Sequence, residues 1–210
     1  MASSGLAVRS KQIADARGTR EKILDCAARL YSRHGYSEGS IRNIAAEIGI
    51  RGPSLYHHFA SKEDATQEIF RIAAQTALTE LQQTATLPDD ATPEMLLDAA
   101  IAAHLRALFH PKRYLSALLR IYSEVPPDLR EAATRQLSPY LHAWMAILDR
   151  VHGAAIQEPI VTEVQVFFIF GAMNSITEWH YGKRADRFSL DDLRVLLRGM
   201  LLNGIGRAKE

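Results

Sequence analysis

The amino-acid sequence predicts an all-α protein, and three observations carry that expectation. No segment sustains the period-two alternation of a half-buried strand. Apolar residues recur instead at spacings of three and four along segments near 19–33, 62–84, 94–109, 112–124, 127–152, 159–181 and 189–206. Turn formers separate these segments: Gly35, Gly49, His110-Pro111, Pro126-Pro127, Gly153 with Pro159, and Gly182 with Ser189. The architecture expected from this pattern is an N-terminal three-helix, helix-turn-helix head joined by a linking helix to a C-terminal helical body.

Thr19 is placed to cap the first helix, which would turn Ile23, Leu24, Ala27, Leu30 and Tyr31 inward and stop at Gly35. Residues 1–18 read as a flexible basic arm ahead of it, with Arg9, Lys11, Arg17 and Arg20 as the sparse basic residues before the first helix. The next stretch, SIRNIAAEIGIRGPSLYHHFASK at 40–62, reads as two short helices around a glycine corner. Ser40 suits the N-cap of the first, on which Ile41, Ile44, Ala45 and Ile48 fall at i, i+3, i+4 and i+7. Gly49 marks the turn and Ile50 can plug its corner. The second helix starts after Gly52 with Pro53 in its first turn, where a missing N–H costs nothing. Leu55 and Phe59 share its anchoring face, which leaves Ser54, His57 and His58 on another face and Tyr56 to the side. Ser61 then caps a longer helix that starts with Lys62 and carries Ala65, Ile69, Ile72, Ala73 and Thr76 on one side. A helix, a glycine and a helix also occur in ordinary small bundles, so spacing alone does not decide between a DNA reader and a packing unit.

Composition narrows the classes. The chain has 210 residues, 47% hydrophobic and 23% charged, which is globular, and no apolar run is expected to cross a bilayer. Cys26 is the only cysteine, so no intramolecular disulfide can form, and its apolar helix suggests a buried structural thiol. The N-terminal stretch lacks an apolar signal core, and with the lone cysteine this leads us to expect a cytoplasmic protein. The formal net charge is only +1, but its distribution is uneven: residues 1–62 carry +5 and the remainder carries −4. One end is suited to phosphate and the other is not.

In the C-terminal body, the segment VTEVQVFFIFGAMNSITEW is apolar almost all round, which requires burial on two sides. Leu193, Leu196, Leu197, Met200 and Leu201 form a broad stripe on the final helix, while Gly171, Ala172 and Ser175 permit close helix approach. The expectation is a homodimer in which these last two helices meet their copies in a four-helix bundle, with a buried hairpin inside one chain as the alternative. His104, Tyr114, Tyr122, His142, Trp144, Asn174 and Trp179 place polar atoms among aliphatic ones, the composition of a mostly apolar pocket and equally of an ordinary core. No metal site and no cofactor are expected: His104, His142 and His180 have neither a close pair nor cysteine partners, and no phosphate-binding glycine loop or nucleophile elbow is present.

The run Leu55-Tyr56-His57-His58-Phe59, followed by Ser61-Lys62-Glu63 and preceded by the Gly49 turn, resembles the TetR family of bacterial transcriptional repressors over about 19–65. The resemblance implies that Ser40, Tyr56, His58 and Lys62 contact DNA phosphates while Arg42, Pro53, Ser54 and His57 face bases. Arg51 stands where the family often has a Ser or Thr cap, implying a weaker cap or another phosphate contact, and Gly52 replaces a base-reading side chain. It further implies a DNA-binding domain at 19–66 and a ligand-binding and dimerisation domain at 67–210. The partners implied are double-stranded DNA carrying a palindromic operator, which two heads about 34 Å apart would read, and a small-molecule effector held by His104, Tyr114, Tyr122, Trp144, Asn174 and Trp179. More loosely, Tyr122 to Arg130 and Glu178 to Tyr181 look like the branch that senses acyl-CoA thioesters or other lipid catabolites, with Lys112, Arg113 or Arg120 at a pocket mouth. A sequence-indifferent DNA-packing protein and a helical enzyme are the alternatives of other classes.

Overall fold

The computed structural model describes residues 2–88, 90–153, 159–180 and 183–203, which are helical apart from short connections. The helices are α1 (Ala2–His34), α2 (Ile41–Glu47), α3 (Gly52–Tyr56), α4 (Lys62–Gln82), α5 (Pro93–Leu108), α6 (Tyr114–Ile121), α7 (Pro127–His152), α8 (Pro159–Asn174), α9 (Ile176–Trp179), α10 (Lys183–Arg187) and α11 (Leu190–Asn203), with a 3₁₀ turn at Gln83–Thr86. The all-α expectation holds. Tyr181, Gly182 and the end of the last expected segment lie outside the described residues.

Two compact units emerge: Met1–Arg71 with Lys112–Ala133, and Ile72–Pro111 with Thr134–Glu210. In the first, Ile23, Ala27 and Tyr31 of α1 pack with Ile44 of α2, Leu55 of α3, Phe59, and Ala65 and Ile69 of α4, all essentially without exposure. Cys26 is buried here too, as expected of a structural thiol, and burial raises its pKa. Helix α6 lies against α1 in this unit. Tyr114 donates to Asp25 and Lys112 pairs with Glu21, so the 112–133 segment is tied to the head by charged and polar links. This grouping departs from the sequence expectation, which assigns all residues after 66 to the body.

Helix ends follow local chemistry. Ser40 Oγ accepts the Asn43 N–H at 3.1 Å, Ser61 Oγ accepts that of Asp64 at 3.1 Å, and Thr92 Oγ1 accepts that of Met95 at 3.2 Å. Helix α2 ends in a left-handed glycine turn: Gly49 has φ +71°, its N–H reaches the Ala46 carbonyl at 3.3 Å, and the Ile50 N–H reaches that of Ala45 at 3.0 Å. Gly39 answers a different need. A Cβ there would stand 2.0 Å from Tyr31 Cε1, so the chain passes directly beneath that ring. Three boundaries depart from expectation. Helix α1 begins at Ala2, so Thr19 lies inside it rather than capping it; Ala2, Leu6, Ala7, Ala14 and Ala16 are good helix formers that continue the register. Helix α3 stops at Tyr56, and the chain reaches Phe59 through a turn. The 159–181 segment breaks at Ser175, where the Ser175 and Thr177 hydroxyls donate to the Ala172 and Asn174 carbonyls, each at 2.8 Å.

The second unit holds a small polar cluster in largely apolar surroundings. His104 of α5 is 2% exposed, with Tyr140 Oη 2.8 Å from Nδ1 and Asn174 Oδ1 3.0 Å from Nε2. As placed, the Asn174 oxygen can only accept, so Nε2 carries the proton and Nδ1 accepts from the tyrosine hydroxyl. Trp144 stands edge-on to His104, and Phe170 stacks on both His104 and Tyr140. Asp98 of α5 meets Arg194 and Arg198 of α11, and Leu193 and Leu197 complete the packing. Helix α8 buries Thr162, Val166, Ile169 and Met173 but leaves Phe167 and Phe168 bare, the latter 75% exposed; on α11, Val195, Leu196 and Met200 are bare as well. The expected need for a second covering surface is therefore visible in the fold. Pro159–Trp179 is long and apolar enough to meet the composition of a membrane span, although its other face is held by core contacts.

Gly39→Ala should cost about 1–3 kcal/mol by driving a methyl into Tyr31, and Gly49→Ala, which meets no atom, should cost about 1–2 kcal/mol from its backbone alone; urea denaturation measures both. Burial pushes the His104 pKa down from 6.5 to about 4. The unfolded chain therefore binds the proton more readily between those values, so stability should rise with pH across pH 4 to 6.5 and flatten above. The loss on acidification should be on the order of 3 kcal/mol, and His104→Phe should remove most of that slope in melts at several pH values.

Candidate nucleic-acid interface

Helices α2 and α3 are joined through the Gly49 turn and present polar side chains around a partly aliphatic groove. Leu55 and Phe59 are buried at 0% and 1% exposure and hold α3 from below. The guanidinium of Arg20 lies 4.6 Å from the Phe59 ring centroid and donates to Glu68 Oε1 at 3.0 Å, joining α1, α4 and the end of the α3 turn. Hydrogen bonds from Arg71, first, and from Arg20 hold the Glu68 carboxyl below its ordinary pKa. With its apolar side anchored, α3 turns Tyr56, 57% exposed, and His57 outward, with Ser54 and His58 half-buried. Arg42 and Arg51 are exposed. Arg51 occupies the N-cap of α3 without a side-chain capping bond, so its guanidinium is not used by the helix.

A groove of about 610 Å³ runs between the two helices, lined by Ser40, Arg42, Ala46, Ile50, Pro53 and Tyr56 among others. Hydroxyl, guanidinium and phenol stand at its edges, and aliphatic groups form much of its floor. Ser40 already accepts a bond from Asn43, but its own hydroxyl proton remains available to an outside acceptor. Together these groups supply donors to phosphate and a fork that can meet a guanine edge. Ser40, Arg42, Pro53 and Tyr56 thus border one groove, while Arg51 and His57 are exposed and Ser54 and His58 are half-buried.

Lys62 is placed differently. Its ammonium donates to the Tyr36 carbonyl and sits 3.7 Å from the Tyr36 ring centroid, and desolvation lowers its pKa. An ammonium has three donors, so a phosphate contact would share it with this internal bond. Around it, Thr66 Oγ1 donates to the Lys62 carbonyl at 2.8 Å, and the Tyr31 hydroxyl, 2.8 Å away, donates to Thr66. Burial pushes the Tyr31 pKa up to about 12, so the donor stays protonated.

The residues expected to form a ligand set divide. His104, Trp144 and Asn174 come together in the buried cluster. Tyr114 and Tyr122 belong to the other unit, Tyr114 donating to Asp25. Trp179 stands beside His180, whose ring faces Phe109 and whose Nε2 lies 2.6 Å from the Phe188 carbonyl, apart from the His104 group. Tyr140 and Phe170 join the cluster without having been singled out by sequence; each lies one helical turn from an expected member, Trp144 and Asn174. Of the basic residues suggested for a pocket mouth, Lys112 pairs with Glu21 and Arg120 with Glu124. No group of three metal-ligating side chains occurs among the described residues.

Residues 23–69 match the family model described as bacterial regulatory proteins, tetR family. An HTH-type transcriptional repressor, KstR2 of Rhodococcus jostii, is 46% identical over 54 residues, 26% of this chain and 26% of that protein. The chain spans between about a quarter and two fifths of the length of the curated relatives it matches, KstR2 and the regulator AcrR of Shigella flexneri. Among solved structures, a TetR-family transcriptional regulator from Bordetella parapertussis superposes with TM-score 0.76 at 24% identity, covering 89% of this chain and 95% of that one. FadR from Bacillus subtilis in complex with stearoyl-CoA gives TM-score 0.68 at 21% identity, covering 88% and 98%. At these identities the structures speak to fold alone. The similarity to the tetR family model thus lies in the helix-turn-helix at 23–69, and the all-α architecture is shared with the solved regulators.

Proposed function

We propose that the protein is a transcriptional repressor that binds a palindromic operator as a homodimer and leaves it when a small apolar or amphipathic molecule binds the C-terminal body. The observation that carries this reading is the α2–α3 groove, bordered by Ser40, Arg42, Pro53 and Tyr56 on a pair of short helices anchored by Leu55 and Phe59. In this reading Ser40, Tyr56, His58, Arg51 and Lys62 hold phosphates, and Arg42, Pro53, Ser54 and His57 face bases. Residues 19–66 act as the reader and 67–210 as the ligand-binding and dimerisation part. The bare apolar strip of Phe167, Phe168, Leu196 and Met200 supports pairing of α8 and α11 with a second copy. Two copies are what a palindrome needs, because one five-residue recognition helix contacts only a few base pairs.

For the effector, we infer an acyl-CoA-like molecule. Similarity to the repressor KstR2 supports repression, and the stearoyl-CoA complex of FadR supports an acyl thioester. The His104 cluster offers the matching chemistry: aromatic and aliphatic walls with one fixed chain of polar atoms from Tyr140 through His104 to Asn174. An acyl chain entering there would displace rings now packed on His104. Because those rings and α8 share one core, ligand binding and the arrangement of the two copies become coupled equilibria.

Selection from random duplexes should yield a palindrome favoured over unrelated DNA by 10³-fold or more. Arg42→Ala should relax preference at one base pair per half-site by about 1–3 kcal/mol. Equal binding to all duplexes would instead identify a DNA-packing protein. Stearoyl-CoA added to the preformed complex should lower palindrome affinity 5- to 150-fold, the usual range of coupling; no change across chain lengths would remove acyl thioesters as effectors.

A further inference from the structure

The turn joining α1 to α2 is held by groups distant in sequence. Its central residue, Tyr36, offers its backbone to opposite charges. The Tyr36 N–H donates to Glu124 Oε2 at 2.6 Å, and the Tyr36 carbonyl accepts from the Lys62 ammonium as well as from the Gly39 N–H. Glu124 lies 88 positions along the chain, in the bend after α6. Arg120, one helical turn earlier, pairs with its other carboxylate oxygen. Gly35, at φ +82°, leaves room for the contact: a Cβ at that position would come 2.5 Å from Glu124 Oε2. The bond from the Tyr36 N–H and, after it, the bond from Arg120 hold the Glu124 carboxyl below its ordinary pKa, so the group is charged at neutral pH.

This turn leads directly into the reading surface. Gly39 passes under Tyr31, Ser40 caps α2, and Arg42 lies in its first turn. Asn43 Nδ2 donates back to the Glu38 carbonyl at 2.8 Å. Residues 35–39 have no helix to hold them, so their path, and with it the entry of α2, is set by these bonds.

We propose that Glu124 is a positioning residue for DNA recognition: with Lys62 it clamps the Tyr36 backbone from both sides and thereby fixes where Ser40 and Arg42 stand. The role rests on the DNA-reading function proposed above. Glu124 lies outside the helix-turn-helix, in the 112–133 segment that packs with the head. A simple surface ion pair with Arg120 would contribute little and would leave the Tyr36 amide indifferent to the carboxylate.

Charge gives the test a sign. Removing a carboxylate from a unit that binds a polyanion should, by Coulomb attraction alone, tighten binding to every duplex. Positioning demands the opposite on the cognate palindrome. The experiment uses the full chain, wild type, Glu124→Ala and Glu124→Gln, with the palindrome selected by the wild type and an unrelated duplex of equal length. Residue-resolved amide hydrogen exchange is followed on each free protein. Glu124→Ala should speed exchange at Tyr36 and weaken palindrome binding, each about tenfold, the scale of one charge-assisted hydrogen bond, while binding to the unrelated duplex holds or tightens. Glu124→Gln keeps an acceptor oxygen and should recover most of that loss, leaving about a threefold deficit; this comparison stands alone if the alanine variant does not fold. Unchanged Tyr36 exchange in the variants, or tighter binding to the palindrome, overturns the assignment. A wild type with no preferred palindrome overturns the DNA-reading function itself, a failure visible before any variant is made.

Discussion

Five residues of helix are far below the length that persists alone in water, and α3 is five residues long. Its N-cap adds nothing from a side chain, since Arg51 makes no capping bond. What α3 presents outward therefore depends on burial of Leu55 and Phe59, which hold it from beneath. Burying two such side chains contributes about 3–6 kcal/mol, larger than any single cap or surface pair in the unit. The Gly49 turn and the Arg20 guanidinium over Phe59 direct that burial into one orientation. The polar face is exposed because the apolar face is committed.

The second unit handles polarity the other way. His104 and Tyr140 are taken out of water with Asn174 half-buried beside them, and the bonds that link the three match donor to acceptor. Such a set is costly to disturb, because an unmatched buried group loses its hydration without compensation. Outward, the same unit leaves aromatic and aliphatic side chains uncovered on α8 and α11. A unit with a bonded centre at His104 and an uncovered apolar exterior has surface left to meet another protein surface.

Much of this is legible in sequence because it obeys local rules. Ser40, Ser61 and Thr92 cap as their spacing requires, Gly49 turns left-handed, and Leu55 and Phe59 go inward one helical turn apart. The exposure of Arg42, Arg51, Tyr56 and His57 is legible for the same reason: when one face of a short helix is claimed, the other is given. What sequence does not disclose depends on contacts between distant segments. Nothing near Lys62 announces that its ammonium turns back to Tyr36, nor that Glu124 meets the same backbone. The grouping of 112–133 with the head has the same origin. In the body, Tyr140 and Phe170 do not stand out because a tyrosine and a phenylalanine on apolar helices fit any core, and only His104 gives them a common centre.

Gly39, Tyr31 and Thr66 show what such interlocking does to tolerance of change. The ring of Tyr31 lies where any side chain at position 39 would go, while its hydroxyl is spent on Thr66, whose own proton goes to the Lys62 carbonyl. Shrinking the ring to admit a larger residue at 39 would strand the threonine oxygen without its donor; keeping the ring forbids the larger residue. Substitutions at the three positions are therefore not additive, and combined changes there will have effects that their single changes do not foretell.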